Sequence, residues 1–176
     1  MSDMKEMSED ILYNLFRSLE IDLMEIAFID RDEGFLEESH MHNWLDISFV
    51  MKGALCYEIN KTAHTVNEGE VVVVSPGKLH KETRLQEDFE VLFVCICFKK
   101  DGKSVDITEN IQIPEVINVT NLKGIYEIFD CILQEVTYRD PGYLLKIKAQ
   151  VLNLLVSICR NESLVTFSRE DAFLFQ

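Results

Sequence analysis

The feature that most constrains this chain is a series of short apolar stretches between Asp22 and Val119, each closed by turn-forming residues. Leu23–Ile29, Leu45–Met51, Leu55–Asn60, Ala63–Val66, Glu70–Ser75, His80–Arg84 and Phe89–Phe98 read as strands, with a weaker pair at Ile111–Ile113 and Val116–Val119. Lys52-Gly53, Asn60-Lys61, Asn67-Glu68-Gly69 and Pro76-Gly77 separate them, and such residues tolerate or pre-set turn geometry. Many short strands at regular spacing predict a sandwich or barrel and argue against a parallel α/β sheet. Val71 to Val74 is unbroken valine, which predicts a strand covered on both faces.

The period changes on either side of this region. Ser8-Glu9-Asp10 supplies a capping hydroxyl and first-turn acid, and Ile11, Leu12, Leu15, Phe16 and Leu19 follow at helical spacing, which predicts a short amphipathic helix over residues 8–20. Beyond Asn121, the residues Ile125, Ile128, Phe129, Ile132, Leu133 and Val136 form one helical stripe. Asp140-Pro141 predicts the start of a second helix, an acid cap with proline where its missing N–H costs nothing. Leu144, Ile147, Val151, Leu154, Leu155 and Ile158 continue it, giving an antiparallel helix pair over Asn121–Tyr138 and Asp140–Arg160. The expected organisation is a barrel with an N-terminal helix over residues 1–120, and a helical hairpin with a tail over residues 121–176, packed as one unit.

Charge and composition limit the function classes. The chain has 176 residues, enough for one domain with a real core, and 47% of them are apolar. Seventeen basic residues stand against thirty-one acidic ones, a net charge of −14. A surface that displaces counterions from phosphates needs the opposite sign, so contact with nucleic acid or an anionic membrane is not expected. The acidic start Met1-Ser2-Asp3-Met4-Lys5-Glu6 does not resemble a signal peptide, and no apolar run is long enough to span a bilayer, so a cytoplasmic protein is expected. The cysteines Cys56, Cys95, Cys97, Cys131 and Cys159 are odd in number and contain no CxxC, which argues against a disulfide framework. Cys95 and Cys97 share a strand face, but two thiols fall short of the four ligands a structural zinc ion takes.

The chemistry lies in two blocks. The first runs from Gly34 to Gly53 and holds His40, His42 and Asp46; the second runs from Gly69 through Pro76-Gly77 to His80. Residues 40, 42 and 46 share parity, so an unbroken strand would aim them at one face, and a neighbouring strand could bring His80 there. Imidazole with carboxylate suits zinc, iron, nickel or manganese. The spacing of all four residues, with Gly34, Gly53, Gly69 and Gly77, resembles the two motifs of the cupin superfamily. That resemblance implies a double-stranded β-helix, or jelly-roll barrel, and a metal set of His40, His42, Asp46 and His80. Two departures bear on it: Asp46 stands where the family has glutamate, and Arg84 where it often has asparagine. Without an ion, the same residues would be the polar lining of a pocket.

Within that superfamily, the stretch from Ser39 to Gly53 is similar to the N-terminal domain of AraC-type transcription regulators, and the helix pair resembles their dimerisation element. The resemblance implies a sensor and not an enzyme: a barrel binding a small-molecule effector through His40, His42, Trp44, Asp46, Ser48, Tyr57, Glu58, His80 and Arg84, and a homodimer through the C-terminal helices. Trp44 serves equally as contact area for a ligand or as an ordinary core or rim aromatic. No cofactor is required on this reading. The basic DNA-binding units that follow in that family have no counterpart after Arg160, where Leu164–Gln176 holds Phe167, Phe173, Leu174 and Phe175 with Arg169 alone as a base. The rival expectation is a stand-alone cupin metalloenzyme, a dioxygenase or isomerase, with His40, His42, Asp46 and His80 as ligands. His64 belongs to neither motif and reads as a surface or rim histidine.

Overall fold

A computed structural model of the chain describes residues 13, 16–30, 38–109, 111 and 113–160. Its strands are β1 (Glu20–Asp30), β2 (Leu45–Lys52), β3 (Ala54–Ile59), β4 (Thr62–Asn67), β5 (Glu70–Val74), β6 (His80–Arg84), β7 (Glu90–Lys100), β8 (Lys103–Val105) and β9 (Val116–Asn118), followed by helices α1 (Leu122–Tyr138) and α2 (Tyr143–Arg160). One antiparallel sheet runs β1-β7-β2-β5-β9 with β8 against the end of β7, and a second runs β4-β3-β6. The mainly β architecture expected from the strand pattern, and the jelly roll that the motif resemblance implies, are the ones observed.

Strand alternation divides the core in two. Val72, Val74, Val50 and Val91 of the larger sheet face Leu55, Tyr57, Ile59 and Val66 of the smaller one, forming the barrel interior. Val71, Val73, Leu45, Ile47, Phe49, Leu92 and Val94 point the other way and meet α1 and α2. The valine run is therefore buried on both faces, as its lack of alternation predicts. On the helix side, Phe49 stacks on Phe129 with ring centroids 5.4 Å apart.

Turn chemistry explains the element ends. Gly53 has φ +76°, and a Cβ there would lie 2.6 Å from the carbonyl oxygen of Asp88, so the approach of the two chains requires glycine. Asn121 caps α1 by accepting from the Gly124 N–H at 3.1 Å, and Arg139 closes it in a left-handed conformation with its N–H on the Glu135 carbonyl.

Several expectations need correction. Asp140-Pro141 forms a turn and not the first helical turn: Tyr143 N–H donates to the Asp140 carbonyl at 2.9 Å, and Gly142 at φ +89° delays the helix to Tyr143. Ile111 and Ile113 are not in a strand; their N–H groups turn back onto the carbonyls of Ile107 and Ile111, following a short 3-10 turn at Ile107–Glu109. The edge strand β8 was not anticipated, although Asp101-Gly102, both at positive φ, is a strong hairpin signal. The helix expected over residues 8–20 lies largely outside the described residues, as do Gly34 and Leu164–Gln176.

Because Phe129 is fully buried and carries the stack with Phe49, Phe129→Ala is expected to cost about 3–5 kcal/mol of stability in chemical denaturation. A loss below about 1 kcal/mol would show that α1 does not share the sheet's core.

Candidate metal centre

His40 and His42 do not lie on an unbroken strand with Asp46, since β2 begins only at Leu45. Backbone pairing positions them instead. His40 and His80 exchange N–H to carbonyl hydrogen bonds at 2.8 and 2.9 Å, an isolated bridge that fixes the first block against β6. The N–H of Gly77 donates to the His42 carbonyl at 2.8 Å, so the turn of the second block holds the second histidine. The ring centroids of His40 and His42 are then 4.2 and 4.7 Å from that of His80.

Each imidazole is oriented by a local backbone carbonyl. Nδ1 of His40 lies 3.1 Å from the Glu38 carbonyl oxygen, that of His42 3.0 Å from Trp44, and that of His80 2.9 Å from Lys78. A carbonyl only accepts, so each Nδ1 carries the proton and each Nε2 keeps its lone pair. Nε2 of His42 and of His80 are both buried without a hydrogen-bond partner. Ligand atoms of the three rings all lie within 4.8 Å of one another. Two buried lone pairs without donors, beside a third imidazole, make an energetically poor pocket lining and a fitting cation site.

Carboxylates stand beside them. Asp46 Oδ2 is 4.0 Å from His42 Nε2, and Glu82 Oε1 is 3.7 Å from His80 Nε2. Asp46, His80 and Glu82 form a second group with ligand atoms within 4.8 Å. Burial, then the charge of Glu82, pushes Asp46 up to about 7, and burial pushes Glu82 up to about 7. Burial, then the charge of His80, brings His42 down to about 4, and burial also lowers His80. All four shifts favour neutral groups and report the cost of charge in a dry barrel.

The centre opens into a cavity of about 370 Å³. Of the residues expected from the sequence, His40, His42, Trp44, Asp46, Ser48 and Tyr57 line it, whereas His80 is not among the lining residues and its side chain is fully shielded from solvent behind them. Trp44 stacks on His42 at 4.6 Å, and the Ser48 hydroxyl donates to Asp46 Oδ1 at 3.2 Å. Glu58 and Arg84 are not among the lining residues. Glu58 has the parity opposite to buried Tyr57, which puts it on the outer face of β3, and Arg84 pairs with Leu55 one step past Glu82. Glu82 escaped the sequence reading although it shares parity with His80 on the same strand. Glu25 of β1 was also missed, and only the pairing of Glu25 with Cys95 brings it to the cavity. His64 is half-buried outside the cavity lining, with Nε2 2.9 Å from Glu115 Oε2, while Glu115 Oε1 holds Lys78 at 2.8 Å.

No protein-family model matches the chain, and no curated protein matches it. Solved structures do. A deletion mutant of Bacillus subtilis oxalate decarboxylase aligns with TM-score 0.36 and 21% identity over 47% of this chain and 23% of that one. KdgF from Halomonas sp. aligns with TM-score 0.36 and 17% identity over 48% of this chain and 83% of its own. The chain thus spans about a quarter of the decarboxylase it matches. The fold is a jelly roll, on its strand order and paired inner faces. The expectation of a sensor and not an enzyme is corrected on the site itself, where His40, His42 and His80, and Asp46, His80 and Glu82, form ligand groups that could hold a metal ion. Among the described residues, no helix is long and apolar enough to cross a membrane.

Glu82 gives a pH signature. Its carboxyl titrates near 7 when folded and at an ordinary 4.5 when exposed, so between those values the folded chain keeps a proton that the unfolded chain has lost. The contribution of Glu82 to stability therefore falls as pH rises from 4.5 to about 7 and is level above, opposite in sign to that of His42. Glu82→Gln cannot ionise, so in chelator-treated protein its stability advantage over the wild type should grow across that window by on the order of 3 kcal/mol. Urea titrations showing a constant gap would contradict the buried placement.

Proposed function

We propose that this chain is a cupin metalloenzyme, a dioxygenase or isomerase, acting on a small molecule held in the barrel cavity. The observation that supports this most is the convergence of three Nε2 lone pairs, two of them buried and unpartnered, beside two carboxylates. His40, His42 and His80 would hold the ion together with a carboxylate from the barrel wall. Mixed imidazole and carboxylate donors suit manganese, iron, nickel or zinc, and such an ion supplies Lewis acidity to a bound oxygen atom of the substrate. The chain's own groups do the rest. The His40–His80 bridge and the three Nδ1–carbonyl bonds keep the rings in place, so little reorganisation is needed on binding. Trp44 offers a flat apolar contact at the cavity wall, and Tyr57 and Ser48 offer hydroxyls to orient a polar ligand.

Metal analysis of untagged, chelator-treated and reloaded protein tests this reading. One ion per chain is expected, with affinity reduced more than about a hundredfold in His80→Ala. Wild-type protein that retains no transition metal would overturn it. Oxygen uptake with turnover then separates a dioxygenase from an isomerase.

The resemblance to AraC-type regulators supports one further element of this reading, a homodimer through the helix pair. Tyr138, Leu144 and Leu145 are 74%, 53% and 75% exposed on these helices. Light scattering at micromolar concentration should show a dimer for the wild type and a shift towards monomer for Leu145→Glu; a monomeric wild type would contradict the element.

A further inference from the structure

Two carboxylates compete for one place in the centre. Asp46 stands in the position that the motif resemblance makes a ligand, with an arm one methylene shorter than glutamate. Its Oδ1 is occupied by the Ser48 hydroxyl at 3.2 Å, and its Oδ2 remains 4.0 Å from His42 Nε2. Glu82 reaches in from β6, two residues beyond His80 and on the same face, and its Oε1 comes to 3.7 Å from His80 Nε2. Two donors bound to one ion at roughly 2.1 Å each can be at most about 4.2 Å apart, so both contacts fit, but the Asp46 contact is close to the straight-line limit.

We infer that Glu82 is the carboxylate ligand that completes the three-histidine centre, with Asp46 beside it as the hydrogen-bonded partner of Ser48. The inference rests on the metalloenzyme reading and refines it. Independent support comes from His80 itself: its side chain is fully buried and its Nε2 has no hydrogen-bond partner, yet it belongs both to the histidine group and to the group with Asp46 and Glu82. An ion shared by the two groups must therefore lie near His80, the ring that Glu82 approaches. The strand explains why glutamate is needed at 82. In β6, successive inward side chains are His80 and Glu82, and the second lies a full two-residue step along the barrel. Only a long arm returns from there to the level of the imidazole. The ligand class is a divalent ion that accepts nitrogen with a hard oxygen donor, for which Mn²⁺ is the probe.

The experiment is calorimetric titration of MnCl₂ into chelator-treated full-length protein, for the wild type, Glu82→Gln, Glu82→Asp and Asp46→Asn, with circular dichroism confirming that each variant is folded. Glu82→Gln should weaken Mn²⁺ binding at least about tenfold more than Asp46→Asn does. Glu82→Asp, which retains charge and draws the oxygen back, should also weaken it and so provides the test should Glu82→Gln fail to fold. Wild-type binding that Asp46→Asn abolishes and both Glu82 variants preserve would overturn the inference while leaving the metal centre standing. A wild type that binds no Mn²⁺, Fe²⁺ or Zn²⁺ would remove the centre itself and the inference with it.

Discussion

The structure depends on a sheet buried on both faces. The central strands β2, β5 and β7 of the larger sheet supply apolar side chains to the helices on one side and to the barrel on the other, and β5 does so with four successive valines. That demand makes any polar residue on the inner face expensive, because it loses water and gains little in return. Along β2 the inner positions nevertheless read Asp46, Ser48 and Val50, and along β6 His80 and Glu82. The polar exceptions gather at one end of the barrel and Val50 lies beyond them, so their cost is concentrated in a single place. A concentration of buried titratable groups with displaced proton affinities is what a reactive site looks like in a domain whose remaining interior is apolar.

The orientation of the rings follows from backbone geometry more than from side-chain packing. Each histidine is tied through Nδ1 to a carbonyl two residues away, and the His40–His80 bridge locks two of the ring-bearing segments to each other. The fixed tautomer leaves Nε2 as the only free donor atom of each ring. A bound ion would replace the missing partners of His42 and His80, and its positive charge would offset the burial that holds Asp46 and Glu82 towards their neutral forms.

Much of this was legible in the sequence, and the gaps have physical causes. Period-two patterning and turn residues located seven of the longer strands, because burial on one or both faces leaves a direct mark on side-chain type. The clustering of His40, His42 and His80 was legible from motif spacing, although the unbroken strand expected to carry His40, His42 and Asp46 begins only at Leu45. Glu82 was passed over because an acid between Lys81 and Thr83 looks like solvated strand surface; only its parity with His80 marks it as inward. Glu58 was misassigned by the same ambiguity, since adjacency to buried Tyr57 places it on the opposite face. Glu25 depends on the register of β1 with β7, a long-range pairing that no local pattern encodes. The helix start at Asp140-Pro141 failed because Gly142 directly follows and a left-handed residue ends the turn before the helix begins.

The central claim is that the barrel's polar end is built to bind an ion through three imidazole Nε2 atoms. The most direct measurement is a crystal structure of manganese-loaded protein with anomalous diffraction recorded at the metal edge. The account predicts one anomalous peak within about 2.3 Å of Nε2 of His40, His42 and His80. A peak elsewhere, or Nδ1 coordination with the carbonyl contacts broken, would contradict it.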